Sequence, residues 1–522
     1  MKRHLLFVLL LFAIAVSAQE RPGPFKSEII YHVFQRSFYD SNGDAQGDLN
    51  GLRQKLTHLQ NLGVTSILMV PLYAADCYHN YFANDFEKID PAFGTMNDYI
   101  ELVKDIHRHG MKIYLDMETQ YVTAKHQWWK SAVGNLQSPY RDYILFDDSA
   151  HKVPATMVFD LRQLNGYNGK VIPVTTVNLR NKGVLAYNIK LFTYFIDPNH
   201  DGKFDDGADG FRLDHAMDNL DNKPALTNLF ALFWKPLLTR LKEINPKIKI
   251  VAEQAEWSDY GYNYFKNSGV DRMFGFNLRG AILSFNKQQL INKADSTLLL
   301  CPEGKQQIVF LENHDLDRLA SIEPNVKKQE LAAALMMLIG GVPSIYYGQE
   351  IGMKGKSQSF GNTDGNNIPS REAFDWYRSA EGPGMAVWYK NSGPWWDQTN
   401  LKANDGISLE EELHDPGSLF NYYKRLIRLR QSNAALAFGK YEDTENNNPN
   451  VYSFYRVFKG EKVLVAVNLS NQLQHVQLLD KDQKFRIIYG LNPHKAGQHQ
   501  LTLKPFEFIV LALKPTLKKL IH

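Results

Sequence analysis

The stretches Ala208–Asp214, Ile248–Glu253 and Gln307–Asp315 each read as an apolar strand that ends, or nearly ends, on a carboxylate. Carboxylates gathered at one rim can attack carbon, deliver a proton or steady a developing positive charge. Arg212 stands two residues before Asp214 and therefore on the same side of its strand, because side chains alternate with period two. A guanidinium there holds Asp214 ionised and fixed in rotamer, as a nucleophilic carboxylate requires. Glu253 has no neighbouring basic residue in its own strand, so it keeps a proton more readily and suits a general acid. Taken alone, Arg212 and Asp214 read equally well as an ion pair at the end of a surface strand.

Positioning three such groups requires strands that run the same way. Between Glu28 and Tyr347 apolar strand-like runs alternate with helical ones: Glu28–Phe34, Thr65–Pro71, Met111–Met117, Ala208–Asp214, Ile248–Glu253, Val270–Phe276, Gln307–Glu312 and Pro343–Tyr347. Eight strands separated by helices give a parallel (β/α)8 barrel with its chemistry at the C-terminal rim. From about residue 118 to 181 the helix–strand rhythm lapses, over a span too long for an ordinary connection. After about Gly439 alternating runs (Val451–Phe458, Lys462–Leu469, Phe506–Leu513) predict an antiparallel sandwich. The expected division is barrel 26–117 and 182–437, inserted small domain 118–181 and C-terminal β-sandwich 438–522.

The motifs Gly210-Phe-Arg-Leu-Asp214, the strand-end Glu253 and Asn313-His-Asp-Leu-Asp-Arg318 resemble those of the α-amylase family, the family-13 glycoside hydrolases. The resemblance runs from about Ile29 into the sandwich and implies a retaining glycosidase acting on α-glucosidic bonds of starch-derived glucans or maltooligosaccharides. It implies that Asp214 attacks the anomeric carbon, that Glu253 is acid and then base, and that Asp315, aided by His314, grips the sugar hydroxyls. Tyr81 takes the place of the family's tyrosine beneath the sugar, with Asn80 where a glycine is usual. After Asp116 the family continues to Asn and His; here Gln120 and Tyr121 stand there, and Tyr121 takes the sugar-contacting position. Met217 and Asp218 replace the family's Lys and His beyond the nucleophile, which implies unusual acceptor subsites. Arg371 and several tryptophans of the excursion 348–408 are expected as cleft walls.

Asp40, Asn42, Asp44 and Asp48 place hard oxygen donors at near-alternate positions, with Gly43 and Gly47 permitting the turn. The rival reading is an acidic turn in which Asp48 caps the following helix. Many family members carry a similar loop as a metal site, so the resemblance implies Ca²⁺, completed by the carbonyl of Gln46. The run Asp197, Asn199, Asp201, Gly202, Asp205 copies the start of an EF-hand loop but lacks its closing glutamate. It reads either as a second calcium site or as a solvated acidic loop.

A formal net charge of +3 over 522 residues points away from nucleic acid or an anionic membrane as partner. Residues 1–18 combine a basic start, an apolar run too short to span a bilayer, and Ser17-Ala18, which predicts an exported chain cleaved near Ala18 and no membrane insertion. On the barrel reading Cys77 lies at the top and Cys301 at the bottom, which predicts two free thiols. Two other functions compete with hydrolysis: transfer of the glucosyl group to another sugar, and glucan binding on a fold that has lost its activity. A purely structural exported barrel is a third reading, which the clustered polar strand ends oppose.

Overall fold

The computed structural model describes residues 25–477, 484–490 and 500–513. The export signal expected at 1–18 lies outside them. Eight short strands close into an all-parallel barrel: β1 (Ile30–Val33), β2 (Ser66–Met69), β3 (Lys112–Met117), β4 (Gly210–Leu213), β5 (Lys249–Ala252), β6 (Arg272–Phe274), β7 (Gln306–Phe310) and β8 (Val342–Tyr346). Each pairs with its neighbours in sequence order, and β1 meets β8.

Alternation along these strands sorts the side chains into two layers. Phe211 and Leu213, Ile113, Leu115 and Met117, and Ile250 and Ala252 pack outward against the helices. Ile30, Leu68, Tyr114, Val251, Phe274, Ile308 and Val342 fill the barrel interior. The same alternation turns Asp116, Arg212 and the residues just past β3, β4 and β5 toward the axis. Gly210 is needed for closure, since a Cβ there would lie 2.4 Å from both the Tyr114 ring and the carbonyl of Lys249. Helices start where capping residues stand: Asp48 accepts from the Gly51 amide, Thr95 and Asp98 form a capping box, and Asn181 accepts from Gly183 and Val184.

One expectation needs correction. The small sheet is not confined to 118–181: it joins Tyr73–Ala75 and Ala83–Ile89 to Tyr121–Thr123, Gln163–Asn165 and Val171–Thr176. The segment following β2 supplies two of its five strands, because Ala83 pairs with Val122 across the top of the barrel. The helix between β4 and β5 begins near Leu229, with a wide turn at Phe230–Trp234 before Lys235–Ile244. Asp218 fixes that start, accepting from the amides of Leu229 on its carbonyl and of Phe230 on its side chain. At the C-terminal end a five-stranded antiparallel sheet packs on a two-stranded one through Val451, Leu464, Val476, Leu501 and Leu511. Cys77 and Cys301 are free. Among the described residues no helix is long and apolar enough to cross a membrane.

Candidate active site

Register places the acids. Asp116 pairs with Arg212 and Met117 with Leu213 across β3 and β4, while Arg212 pairs with Val251 and Leu213 with Ala252 across β4 and β5. The next residues on the three strands, Glu118, Asp214 and Glu253, therefore stand side by side at one level. The layer beneath holds one cation. Arg212 donates from Nη1 to Asp116 (2.6 Å) and Asp214 (2.5 Å) and from Nη2 to Glu253 (2.5 Å). Glu253 thus has a basic neighbour after all, supplied by β4 rather than by its own strand.

One guanidinium cannot hold every surrounding carboxyl ionised in a buried site, so the proton affinities separate. Burial would raise the Asp214 carboxyl, but Arg212 and hydrogen bonds from Glu118 and Glu253 hold it far below the usual carboxylate range. Burial raises Glu253 well above that range against the pull of Arg212, and the charges of Asp214 and Asp315 push it further. Burial likewise raises Asp116 to about 6, with Arg212 opposing. The surroundings thus favour the charge on Asp214 and the proton on Glu253.

Asp315 lies farther along the loop after β7, its carboxyl about one-third exposed. Burial would raise it, but His314 and Arg371 hold it low. Arg371 donates to Asp315 Oδ1 (3.1 Å), to the His314 carbonyl (2.7 Å) and to the Tyr78 hydroxyl (2.8 Å). His314 Nε2 lies 3.0 Å from Asp315 Oδ2 and 2.7 Å from the Tyr81 hydroxyl. Tyr81 stacks on His314 with centroids 5.2 Å apart and donates to Asp116 (2.6 Å). Asp214, Glu253, Asp315, Arg212, His314, Tyr81 and Arg371 thus form one connected group.

Tyr121 departs from its expected role. It is buried, and its hydroxyl donates to both oxygens of Asp221 at 2.9 and 2.7 Å. It ties the inserted sheet to the loop after β4 and does not offer that hydroxyl to a sugar. Gln120 is also engaged, accepting from the Thr119 amide and donating to the carbonyls of Asp214 and His215. Trp257, four residues past Glu253, escaped the sequence reading. It is 42% exposed, stacks on Phe276 and donates to Glu253 Oε1 at 3.3 Å.

The calcium loops differ in what their carboxylates do. In Asp40–Asp48, Asp48 accepts from Ser41 and from the Gly51 amide, so the helix-capping reading holds for that residue. Asp40 accepts from the amides of Asn42, Gly43 and Ala45, Asn42 accepts from Asp44, and the Gln46 side chain accepts from Arg36. The donors suit a hard cation chemically, though several already serve backbone amides. At Asp197–Asp205 the same turns recur, with Asp197 accepting from Asp201 and Gly202. Beside it Asp206, which the spacing did not single out, is fully buried with both carboxyl oxygens unpartnered. That orphaned carboxyl fits a cation better than it fits an empty loop.

A parallel barrel with three acidic side chains, Asp214, Glu253 and Asp315, gathered at its C-terminal rim is the arrangement of a class of glycosidases. The sequence pattern described as Alpha amylase, catalytic domain, matches residues 32–439, and that described as Alpha-amylase SusG C-terminal domain matches 451–510. The chain belongs to the α-amylase family. It is 28% identical to Alpha-amylase 3 of Dictyoglomus thermophilum over 98% of both chains. It is 27% identical to Probable oligo-1,6-glucosidase 3 of Bacillus subtilis over 92% of this chain and 98% of that one. The crystal structure of an α-amylase from H. orenii superposes with a TM-score of 0.77 at 25% identity, covering 94% of this chain and all of the other.

Proposed function

We propose that the protein cleaves α-glucosidic bonds in starch-derived glucans or maltooligosaccharides with retention, through a covalent glycosyl–Asp214 intermediate. The observation that carries this reading is the level row of Asp214 and Glu253 over one shared arginine, with their proton affinities driven apart. In the first step an Asp214 oxygen bonds to the anomeric carbon, the glycosidic C–O bond breaks, and the Glu253 proton passes to the leaving oxygen. In the second, Glu253 takes a proton from water as that water's oxygen displaces Asp214. Asp315, held by Arg371 and His314, grips sugar hydroxyls while positive charge builds on the ring.

Glu253→Gln tests the reading. It should cripple cleavage of maltooligosaccharides, whose leaving group needs the proton, by about 10²–10⁴-fold. It should spare the first step for α-glucosyl fluoride, and azide should then restore turnover and give the α-configured glucosyl azide. A β-configured product would mean a single displacement and exclude the intermediate. Relatives of similar identity bear names as different as Trehalose synthase and 4-alpha-glucanotransferase. Product analysis on maltooligosaccharides with an added sugar acceptor therefore decides between water and sugar as the receiving group.

Two further parts of the reading stand on their own observations. Ca²⁺ is held by Asp40, Asn42, Asp44 and the Gln46 carbonyl, with Asp48 at the loop's end, and a second ion by the Asp197–Asp206 loop, where the unpartnered Asp206 supports it. A bound cation stabilises the folded state by mass action. EDTA should lower the Tm; an unchanged Tm with no calcium by elemental analysis would leave both loops as plain turns. Residues 1–18 direct export, which N-terminal sequencing of the mature protein checks.

A further inference from the structure

Glu118 is a buried carboxyl that the steps above leave unused. It follows β3 on the side that already carries Asp116, and it stands next to Asp214 because β3 and β4 are in register at Met117 and Leu213. Side-chain atoms of Glu118, Asp214 and His215 lie within 4.8 Å of one another, and Glu118 is 1% exposed. One Glu118 oxygen accepts from the Gln120 amide at 2.8 Å. Its backbone is clamped by the Tyr73 hydroxyl, which donates to the Glu118 carbonyl at 2.5 Å and accepts from its amide at 3.1 Å. Arg212 gives its hydrogen bonds to Asp116, Asp214, Glu253 and Tyr81. Two carboxyls side by side, with Arg212 bonded to Asp214 and not to Glu118 and only the His215 imidazole beside them, favour one shared proton over two charges.

We propose that Glu118 is a positioning residue for Asp214, donating a hydrogen bond from its own carboxyl proton to the Asp214 carboxylate and so fixing the attacking oxygen. The proposal rests on the reading of Asp214 as nucleophile. Burial and the neighbouring Asp214 charge both raise Glu118 well above the ordinary glutamate range, which keeps the proton in place at neutral pH. The charged and titratable groups that face it are Asp116 from β3, Arg212 from β4 with Asp214 and His215 just past it, Tyr73 and Tyr121 from the small sheet, and Asp221 behind Tyr121. The proton stays on Glu118 throughout. The hydrogen bond weakens as Asp214 loses its charge to the ester and returns when water releases it.

The sign follows: the protonated form is the working one, so activity is lost as pH rises through the raised pKa. The test removes Glu253 from the pH dependence by working in Glu253→Gln with α-glucosyl fluoride and following the burst of fluoride. The burst rate should fall at alkaline pH. Adding Glu118→Gln, whose amide donates at every pH while its oxygen still accepts from Gln120, should abolish that fall and keep most of the neutral-pH rate. Adding Glu118→Leu should lower the rate about 10²-fold at all pH without changing KM, with circular dichroism confirming the fold. A fall that persists in the Gln double variant would belong to another facing group, Asp116, His215 or Asp221, and would overturn the proposal. So would a Gln variant as slow as the Leu one. Asp214→Asn in the same assay keeps the two failures apart: fluoride release there would refute the nucleophile and Glu118 with it, whereas no release upholds the nucleophile and leaves the Glu118 variants to test the proposal alone.

Discussion

The two ends of the barrel use the same residue types and reach opposite electrostatic results. At the bottom Glu28 accepts from Arg272 (2.5 Å), Tyr114 (2.7 Å) and Ser66 (2.8 Å), one carboxylate to one guanidinium. Burial would raise it, but Arg272 and these hydrogen bonds bring it down from 4.5 to about 2. At the top a single guanidinium serves Asp116, Asp214 and Glu253, with Glu118 alongside. The excess of acids over cations keeps protons in the site. A satisfied pair stiffens the fold; a crowded one stores a proton where a leaving group needs it.

The largest effect that separates the two ends is on turnover. Asp214→Asn should cost roughly 10⁴-fold or more in kcat, whereas Glu28→Gln should leave kcat near wild type; comparable losses would erase the distinction. The next effect is on stability. Arg272→Met breaks a one-to-one pair and should cost about 3–5 kcal/mol by leaving Glu28 buried and charged. Arg212→Met should cost less, because Asp116 and Glu253 already lean toward the neutral form; urea unfolding of both variants at neutral pH measures the difference. The smallest effect is the pH response of Glu28. Its folded pKa lies below its unfolded one, so its contribution, about 3 kcal/mol, is present above pH 4.5 and fades as pH falls toward 2. The stability gap between wild type and Glu28→Gln should close over that window, and a gap independent of pH would contradict it.

Much of the rim was legible because strand-end carboxylates keep their spacing in the chain. Asp214, Glu253 and Asp315 each follow an apolar run, and Arg212 precedes Asp214 by two. What crosses between strands was not legible. The bond from Arg212 to Glu253 depends on the parallel register of β4 and β5, which no local pattern states. Glu118 did carry a signal, two residues after Asp116 on the same face, but the polar run through Tyr121 read as the start of the inserted domain. The hydroxyl of Tyr121 meets Asp221 a hundred residues away, a pairing that only the folded chain creates. The part of Asp218 in starting a helix, through the Phe230 amide, was likewise invisible in the local pattern.

The central claim is that crowding around Arg212 leaves Glu253 protonated and Asp214 ionised in the resting protein. Neutron diffraction from deuterium-exchanged crystals at neutral pH reads this directly. The account predicts deuterium on a carboxyl oxygen of Glu253 and none on Asp214. A bare Glu253, or a deuterium on Asp214, would contradict it.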